Sequence, residues 1–374
     1  AKGVERWVSQ RLSHVLGAGP GRAGATSDGV CAGVEFRAPR SIVAEIVGSD
    51  AQDVWSPDAL VWPLLEVVDA SLGQPWCLAL TRHLGHESTR APGDDPDLRA
   101  GRRYSVAHRL ARLFGTYAVQ RPTLLADWEA GLYTDGAGAP LEPDLAWQAE
   151  LWRRLVARVG EPSPVQRHRH VVESLRSDPA STSLPPRVSL FGHTRIPVTE
   201  VELLAALAEH RQVDLWLPHP SDALWSSLVG PTGGGPVRRR DDDSHLAAGH
   251  PLNASLGRDL RELQRTLAPV AGTSTTIDVP RAAPHSLLGH LQHDLRTDTV
   301  PGRPRDLVPG DRSVQVHACH GPARQVEVLR EALLGLLADD PTLQPRDVVV
   351  MCPDIESYAP LLEAAFGLGG VADS

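Results

Sequence analysis

The sequence predicts an α/β protein with parallel β-sheets, because a strand–helix–strand pattern occurs twice. In the first pattern, short apolar runs at Val188–Gly192 and Val213–Leu217 flank a helical segment, Val198–Glu209. The second pattern lies in residues 313–366. Two strands joined by a helix in one sheet are normally parallel, with a right-handed crossover.

The second pattern is the more regular of the two. Ser313–Cys319 alternates apolar and polar residues, as a half-buried strand does. Arg324–Leu337 has apolar residues at helical spacing. Val348–Met351 is an unbroken apolar run, typical of a strand covered on both faces, and Asp354–Phe366 is predicted to be a second helix.

The first 50 residues contain a helix, a glycine-rich segment and a short strand. Val4–Leu16 is the helix and Val30–Phe36 the strand. Between them, Gly19–Thr26 has the spacing of a phosphate-binding loop, but Ala25 replaces the lysine. A phosphate-binding loop also follows a strand, whereas this segment follows a helix, so we interpret it as a turn.

Residues 51–185 are predicted to be mostly helical. Ser56 is a candidate N-cap, followed by a proline and the helical run Leu60–Leu72. A polar loop, His86–Arg102, precedes the amphipathic helix Tyr104–Val119. Three tryptophans in this region could stack on nucleic-acid bases, but their spacing among Leu and Val favours core packing; they are Trp55, Trp62 and Trp76.

The segment that follows the first strand–helix–strand pattern has low-complexity runs. Ser221–Pro251 is predicted to be a loop, and its consecutive carboxylates Asp241–Asp243 lack the converging geometry of a metal site. Leu260–Leu267 and Ala282–Leu295 are predicted helices, and Thr297–Gly310 is a proline-rich linker.

Composition restricts the function classes. The chain has 374 residues, 41% hydrophobic and 22% charged, which is typical of one to three globular domains. The net charge of -9 argues against non-specific coating of DNA but allows a local basic channel. Four scattered cysteines without a C-x-x-C pair predict reduced thiols in a cytoplasmic protein. No 18-residue apolar run indicates a membrane span, and no nucleophile–base motif indicates a catalytic residue.

Both ends suggest an internal fragment of a longer protein. The chain begins Ala-Lys-Gly, opens directly into a helix, and stops after the second strand–helix pattern. We therefore expect a first strand to precede Ala1 and further sequence to follow Ser374.

Five motifs occur in an order and spacing that resemble one known family. They read Q-R-P-T-L-L-A-D-W-E-A-G, W-Q-A-E-L-W, P-L-N-A-S-L-G-R-D, H-x-x-x-R-Q-V-E-V-L and P-R-D-V-V-V-M-x-P-D-I-x-x-Y-x-P, at residues 120–131, 147–152, 251–259, 320–329 and 345–360. Together they resemble RecC, the gamma subunit of bacterial exodeoxyribonuclease V (RecBCD). The resemblance covers essentially the whole chain.

The resemblance implies an inactive superfamily 1 helicase-like fold. Residues 1–50 and 186–300 would form the first helicase-like domain (1A), a parallel-sheet domain of the P-loop type. Residues 51–185 would be its helical insertion (1B-like), lining a DNA channel, and residues 301–374 would begin a second helicase-like domain (2A).

The resemblance also predicts where an active ATP site would carry a lysine, an acidic pair and an arginine. This sequence lacks the required residue at each of these positions. Ala25 stands where the phosphate-binding lysine would be. The strand that would end in acidic residues is followed by Gly192–Thr194, and the next carboxylate, Glu200, lies well inside the following helix. Pro353 and Asp354 stand where an arginine would follow the late strand. The resemblance therefore implies no catalytic residue and no cofactor in this chain. ATP and Mg would be used by its partners.

By the same resemblance, Arg121 is the leading candidate for a DNA contact. An arginine held before a proline turn suits a phosphate or a base edge. Alternatively, its guanidinium caps the preceding helix at Val119. Arg112 is a second candidate; it stands where Chi-reading relatives carry an acidic residue, so reading of the same sequence is not implied.

A basic cluster lies further along the helical segment and comprises Arg153, Arg154, Arg158, Arg167, His168, Arg169 and His170. Its candidate DNA contacts are Arg153, Arg154, Arg167 and Arg169. It could neutralise several phosphates along a DNA path. Alternatively, it is a solvated helix face paired with Glu150 and Glu161.

The function that the resemblance implies is a non-catalytic gamma subunit in double-strand break repair by homologous recombination. It would hold RecB-like and RecD-like subunits in a heterotrimer, receive double-stranded DNA ends, and guide the separated 3′-ended single strand. Whether Chi is recognised stays open. Two alternatives are an active ATP-dependent DNA helicase or nuclease, and an interaction scaffold independent of DNA.

Overall fold

The computed structural model describes residues 2–16, 30–48, 53–85, 101–234, 237–270, 272–277, 283–306 and 308–367. Helices dominate, and in the described part the sheet has two strands. The chain divides into two compact units, one of Ala1–Val279 with Asp294–Val300 and one of Pro280–His293 with Pro301–Ser374. This is an α/β protein in which the sheet is small.

The first unit opens with helices α1 (Lys2–Ser13) and α2 (Pro39–Val47). The predicted strand Val30–Phe36 is wrong, because this segment is irregular and has no neighbouring strand among the described residues. A strand needs a hydrogen-bonded partner, which an apolar run cannot supply by itself. The phosphate-loop-like segment Gly19–Thr26 lies outside the described residues.

The predicted helical segment is confirmed. Ser56 caps its first long helix, with its Oγ accepting a hydrogen bond from the N–H of Ala59 at 3.3 Å. Ser163 and Gln166 form a capping box at the start of its last helix. The helices are α3 (Pro57–Ser71), α4 (Leu78–His83), α5 (Arg102–Gln120), α6 (Pro122–Glu129), α7 (Ala146–Val159) and α8 (Pro164–Ser177).

An aromatic core holds these helices together. Phe114, Trp128 and Trp152 are almost completely buried, and the Phe114 and Trp152 ring centroids lie 5.2 Å apart. Trp55 packs on Trp152 at 5.5 Å, so its predicted core role is confirmed. The same prediction is wrong for Trp62, whose surface is 65% exposed.

The first strand–helix–strand pattern is confirmed as β1 (Arg187–Phe191), α9 (Val198–Ala208) and β2 (Gln212–Trp216). The strands are parallel, in a register running from Arg187 opposite Gln212 to Phe191 opposite Trp216. Glu200 is the third residue of α9, so its predicted place well inside the helix is wrong.

The rest of the first unit is more helical than predicted. The segment predicted as a loop contains α10 (Asp222–Ser227) and α11 (Val229–Thr232) because Ser221 caps a helix whose Leu224 is fully buried. After it comes α12 (Pro251–Leu256), which was not predicted. Helices α13 (Arg258–Leu267) and α14 (Leu287–Thr297) confirm the two predicted helices, and only Asp294–Thr297 of α14 belong to the first unit.

The second unit contains α15 (Gly321–Asp339) and α16 (Ile355–Phe366), which confirms both predicted helices. The two predicted strands are wrong, since Ser313–Cys319 and Val348–Met351 are irregular. Their apolar side chains are open to solvent: Val316 is 93% exposed and Met351 89%. In this unit's described residues, no strand supplies the hydrogen-bonding edge that either segment would need.

Two further observations concern chemistry and membranes. None of the four cysteines forms a disulfide. None of the described helices is both long enough and apolar enough to cross a bilayer.

Candidate nucleic-acid interface

Arg121 lies at the junction between α5 and α6, where the chain turns. Pro122 opens α6, and a proline lacks the N–H that a continuing helix would need. The backbone N–H of Arg121 donates to the carbonyl of Tyr117 at 2.7 Å, and its own carbonyl accepts from the N–H of Leu124 at 3.1 Å. The backbone is therefore fixed from both sides, while the side chain is exposed.

The guanidinium of Arg121 does not cap α5. The carbonyl of Val119 accepts a hydrogen bond from the hydroxyl of Thr199 at 3.2 Å instead. The guanidinium has no hydrogen-bond or ion-pair partner among the residues that the structure describes. The capping alternative is therefore wrong, and the charge of Arg121 is available to a ligand.

Arg121 borders a cleft of about 230 Å³ with an aromatic wall. Tyr117 and Trp128 line it, with ring centroids 6.0 Å apart in an edge-to-face arrangement. The Tyr117 hydroxyl contacts Gln148 Oε1 at 3.4 Å. Burial raises the pKa of Tyr117, and the nearby charge of Arg121 partly offsets this effect. Tyr117 is therefore a neutral hydrogen-bonding group over the whole working range of pH.

The lining of this cleft also includes two arginines that were not predicted as site residues, Arg238 and Arg240. The Nε of Arg238 lies 2.6 Å from Asp135 Oδ2, which ties the arginine run to the turn after α6. Although partial burial opposes ionisation, hydrogen bonds from Arg238 and backbone N–H groups hold the pKa of Asp135 below its usual range. Among the described residues, the one ion pair of Arg240 is a 3.9 Å contact with Asp241. The sequence feature that could have indicated this site is the run of three arginines, Arg238–Arg240, but such a run is by itself typical of a solvated loop.

The predicted arginines on α7 pair with a carboxylate of the same helix. Arg153 and Arg154 contact the two oxygens of Glu150 at 2.6 and 2.9 Å. The Arg153 guanidinium also lies 4.8 Å from the centre of the Tyr133 ring. Although partial burial opposes ionisation, the two arginines hold the pKa of Glu150 low. The structure therefore supports pairing with Glu150 for these two arginines; a DNA contact by either stays a prediction.

The remaining predicted arginines fall into two groups. Arg167 is paired with Asp53 at 3.0 Å. Arg112 and Arg169 are exposed and have no side-chain partner within the described ranges. Of the six predicted arginines, Arg121 is the one that lines the cleft. DNA contacts by the other five stay predictions.

The three consecutive aspartates do not converge on a cation site. Asp242 Oδ1 accepts hydrogen bonds from the N–H of Ser244 at 3.1 Å and from Arg265 at 3.0 Å, so this oxygen faces protein donors. Within the described part of the chain, no group of three His, Cys, Asp or Glu side chains could hold a metal ion.

Comparison with known proteins decides the family. Residues 1–298 match the family model of the RecC N-terminal domain. The chain belongs to the RecC family. This confirms the resemblance that the ordered motifs indicated, and in this RecC-family chain the first motif positions Arg121 at the α5–α6 junction.

Several relatives extend the match over the whole RecC-family chain. The RecBCD enzyme subunit RecC of Mycobacterium tuberculosis is 57% identical over 373 residues, which are 100% of this chain and 33% of the relative. That of Mycolicibacterium smegmatis is 55% identical over 371 residues, 99% of this chain and 31% of the relative. The RecBCD enzyme subunit RecC of Escherichia coli is 28% identical over 418 residues, which cover 98% of this chain and 34% of the relative. The chain thus spans about a third of the length of these relatives.

Proposed function

We propose that this RecC-family chain acts within a non-catalytic gamma subunit of a RecBCD-type helicase–nuclease. The subunit holds RecB-like and RecD-like partners and guides the separated 3′-ended strand during recombinational repair of double-strand breaks. The observation that carries this proposal is the cleft beside Arg121, where a guanidinium without a partner among the described residues stands beside the partly exposed ring of Tyr117, which packs on the buried Trp128. The three relatives are each named as the RecC subunit of a RecBCD enzyme.

The size of the cleft favours a single strand over a duplex. Its volume of about 230 Å³ is below the roughly 300–1,000 Å³ of pockets for drug-sized ligands, so it suits one base or one sugar–phosphate unit. Arg121 and Arg240 on its rim suit phosphate oxygens, which position a strand without reading its sequence. The whole chain has a net charge of -9, which disfavours DNA binding elsewhere on its surface. We therefore expect DNA binding to be confined to this cleft.

A non-catalytic role agrees with the end of β1. In an active helicase of this architecture, the strand would end in carboxylates for Mg²⁺; here Gly192 and His193 follow Phe191. The nearest carboxylate along the chain, Glu200, is half-buried, and burial raises its pKa. A carboxyl that is costly to ionise is a poor Mg²⁺ ligand. The inactive helicase-like fold, with domain 1A, its helical insertion and the start of domain 2A, is part of this proposal.

The first experiment is co-purification of the full-length protein with the RecB-type and RecD-type subunits from the same source. We expect a stable complex of three subunits that unwinds DNA ends, and loss of unwinding when this protein is left out. The purified protein alone should not hydrolyse ATP on forked DNA. ATP hydrolysis by the protein alone would instead establish the active-helicase alternative.

The second experiment tests strand guidance in the same complex. We expect Arg121→Ala to weaken binding of a single-stranded 3′ tail and to lower the slope of log affinity against log salt by about 0.7, one phosphate contact. Arg346→Ala is the matched control, because Arg346 is also exposed and has no side-chain partner among the residues described in the second unit. An intact complex with unchanged, salt-insensitive tail binding would favour the DNA-independent scaffold.

A further inference from the structure

A second cleft lies in the helical segment, distinct from the one beside Arg121. Its volume is about 400 Å³, within the roughly 300–1,000 Å³ of pockets that bury a ligand. It opens where the start of α4, the turn after α6 and the start of α7 come together. The lining described for the two clefts has no residue in common. The second cleft is therefore a separate site, and the proposed function does not use it.

Aromatic rings and prolines form the walls of this cleft. Trp76 and Trp147 are partly buried, whereas Tyr133 is 46% exposed. Pro75 and Pro143 each open a short 3₁₀ turn in the lining, and a proline restricts the backbone at that point. Large flat side chains that stay open to solvent in a concave surface are typical of a site that receives an apolar group of a partner.

Two of the rings are held in place by arginines of α7. The Arg153 guanidinium lies 4.8 Å from the centre of the Tyr133 ring and donates to its hydroxyl at 2.6 Å. The Arg154 guanidinium lies 5.0 Å from the centre of the Trp76 ring. Both arginines are anchored by Glu150, so these rings are positioned before a ligand arrives. Preorganised walls lower the entropy that is lost on binding.

Asp144 supplies the charge that the cleft offers to a ligand. It belongs to the lining, is exposed, and has no hydrogen-bond or ion-pair partner among the described residues. Glu150, the other carboxylate of the lining, already uses its two oxygens on Arg153 and Arg154. A basic group that enters beside the aromatic walls would therefore meet an open carboxylate, whereas a phosphate would be repelled by it.

We propose that this cleft docks a proline-rich segment of a partner protein, with an arginine or lysine of that segment placed at Asp144. Proline-rich segments are already extended as a polyproline II helix, so they lose little entropy on binding, and they dock in grooves lined by aromatic side chains. The rings of Trp76, Tyr133 and Trp147 provide such a lining. The carboxylate of Asp144 is complementary to the basic residue and disfavours a nucleic-acid strand in the same place.

The test is the affinity of the full-length protein for a fluorescein-labelled peptide of three Pro-Pro-Arg repeats, measured by anisotropy at low salt. We expect saturable binding that weakens as salt is added, because the contact with Asp144 is exposed and therefore screened. Peptides of Pro-Pro-Ser and Pro-Pro-Glu repeats are the matched probes, and the affinity should fall in the order Arg, Ser, Glu. Failure of the Pro-Pro-Arg peptide to bind saturably, or tighter binding of the Pro-Pro-Glu peptide, would overturn the proposal.

Variants of two lining residues locate the contact. Tyr133→Ala should weaken binding of the Pro-Pro-Arg peptide by roughly fivefold or more, and Tyr133→Phe, which keeps the ring, should retain most of the affinity. Asp144→Asn should weaken binding of that peptide by about two- to fivefold and leave the Pro-Pro-Ser peptide unaffected, because it removes one exposed ion pair. Asp58→Asn is the control, since Asp58 is also an exposed carboxylate but is not part of the lining.

The remaining outcomes separate this site from the other surfaces of the protein. Wild-type peptide affinity in both Tyr133→Ala and Asp144→Asn would place the peptide elsewhere and overturn the proposal. Loss of peptide binding in Arg121→Ala would place it in the other cleft, with the same consequence. A fluorescent oligo-dT whose binding is weakened by Tyr133→Ala as much as that of the peptide would identify a nucleic-acid site, which also overturns the proposal.

Discussion

The hydroxyl of Thr199 donates a hydrogen bond to the carbonyl of Val119 over 3.2 Å, joining the first turn of α9 to the last turn of α5. Thr199 is buried at 8% exposure, so this contact is shielded from water. It satisfies one of the carbonyls that every helix leaves open at its C-terminus. It thereby links the strand–helix–strand pattern to the helix that leads into Arg121 and its cleft.

Replacing Thr199 should destabilise this junction. Thr199→Val keeps the shape of the side chain but leaves the Val119 carbonyl without its donor, so we expect the free energy of unfolding to fall by about 1–2 kcal/mol. Urea denaturation followed by circular dichroism measures this. Thr116→Val is the control, because Thr116 is exposed and its hydroxyl bonds only the Arg112 carbonyl of its own helix. Equal effects of the two changes would contradict a structural role for the junction.

The arginines should separate into functional and structural classes. Arg121→Ala removes a side chain without a partner in the described structure and should leave the melting temperature unchanged. Arg153→Ala removes contacts with Glu150 at 2.6 Å and with the Trp128 carbonyl at 3.1 Å, and should destabilise the protein by about 1–2 kcal/mol. Thermal melts of both variants check this. A destabilised Arg121→Ala protein would show that its guanidinium has a structural partner after all.

The carboxylate of Asp298 should make stability sensitive to acid. Its oxygens accept hydrogen bonds from the N–H groups of Gly249 at 2.8 Å and His250 at 2.9 Å, and from Asn253 Nδ2 at 2.8 Å. Partial burial opposes ionisation, but these donors outweigh it and lower the pKa of Asp298. A lowered folded-state pKa contributes stability above the unfolded value of about 3.9, and that stability is lost as the pH falls through the folded value.

We therefore expect Asp298→Asn to reduce stability at pH 7 and to flatten the loss of stability below about pH 4. Denaturation midpoints between pH 7 and pH 3 measure this. Asp306→Asn is the control, because Asp306 is exposed and its carboxylate has no hydrogen-bond or ion-pair partner among the described residues. Parallel pH profiles for wild type and Asp298→Asn would contradict the assignment.

The sequence was most informative where structure is decided locally. Ser56 and the helical spacing of apolar residues sufficed for the long helices, and the apolar runs on either side of α9 sufficed for the parallel pair β1 and β2. Ser313–Cys319 has an equally clear strand pattern, yet a strand also depends on a partner edge that local spacing does not encode.

The candidate site shows the same limit. Arg121 was predicted from its motif, but Arg238 reaches the same cleft from 117 positions further along the chain, a juxtaposition that only the fold creates. Trp62 was misjudged for a related reason. Its neighbours Val61 and Leu64 are buried, and spacing along one helix cannot determine whether a ring at the edge of the apolar face meets another helix or solvent.

Two glycines on the helical segment should respond to alanine in opposite directions. Gly115 lies in the middle of α5, and a Cβ there would meet Pro57 Cγ at an ordinary 3.7 Å. Because glycine costs about 1 kcal/mol relative to alanine inside a helix, Gly115→Ala should raise the free energy of unfolding by about 0.5–1 kcal/mol. Gly136 has a φ of +75°, and a Cβ there would lie 2.9 Å from Leu124, so Gly136→Ala should be destabilising. Urea midpoints of the two variants measure the contrast. A loss of stability in Gly115→Ala would show that the exposed face of α5 is packed more tightly than its described neighbours account for.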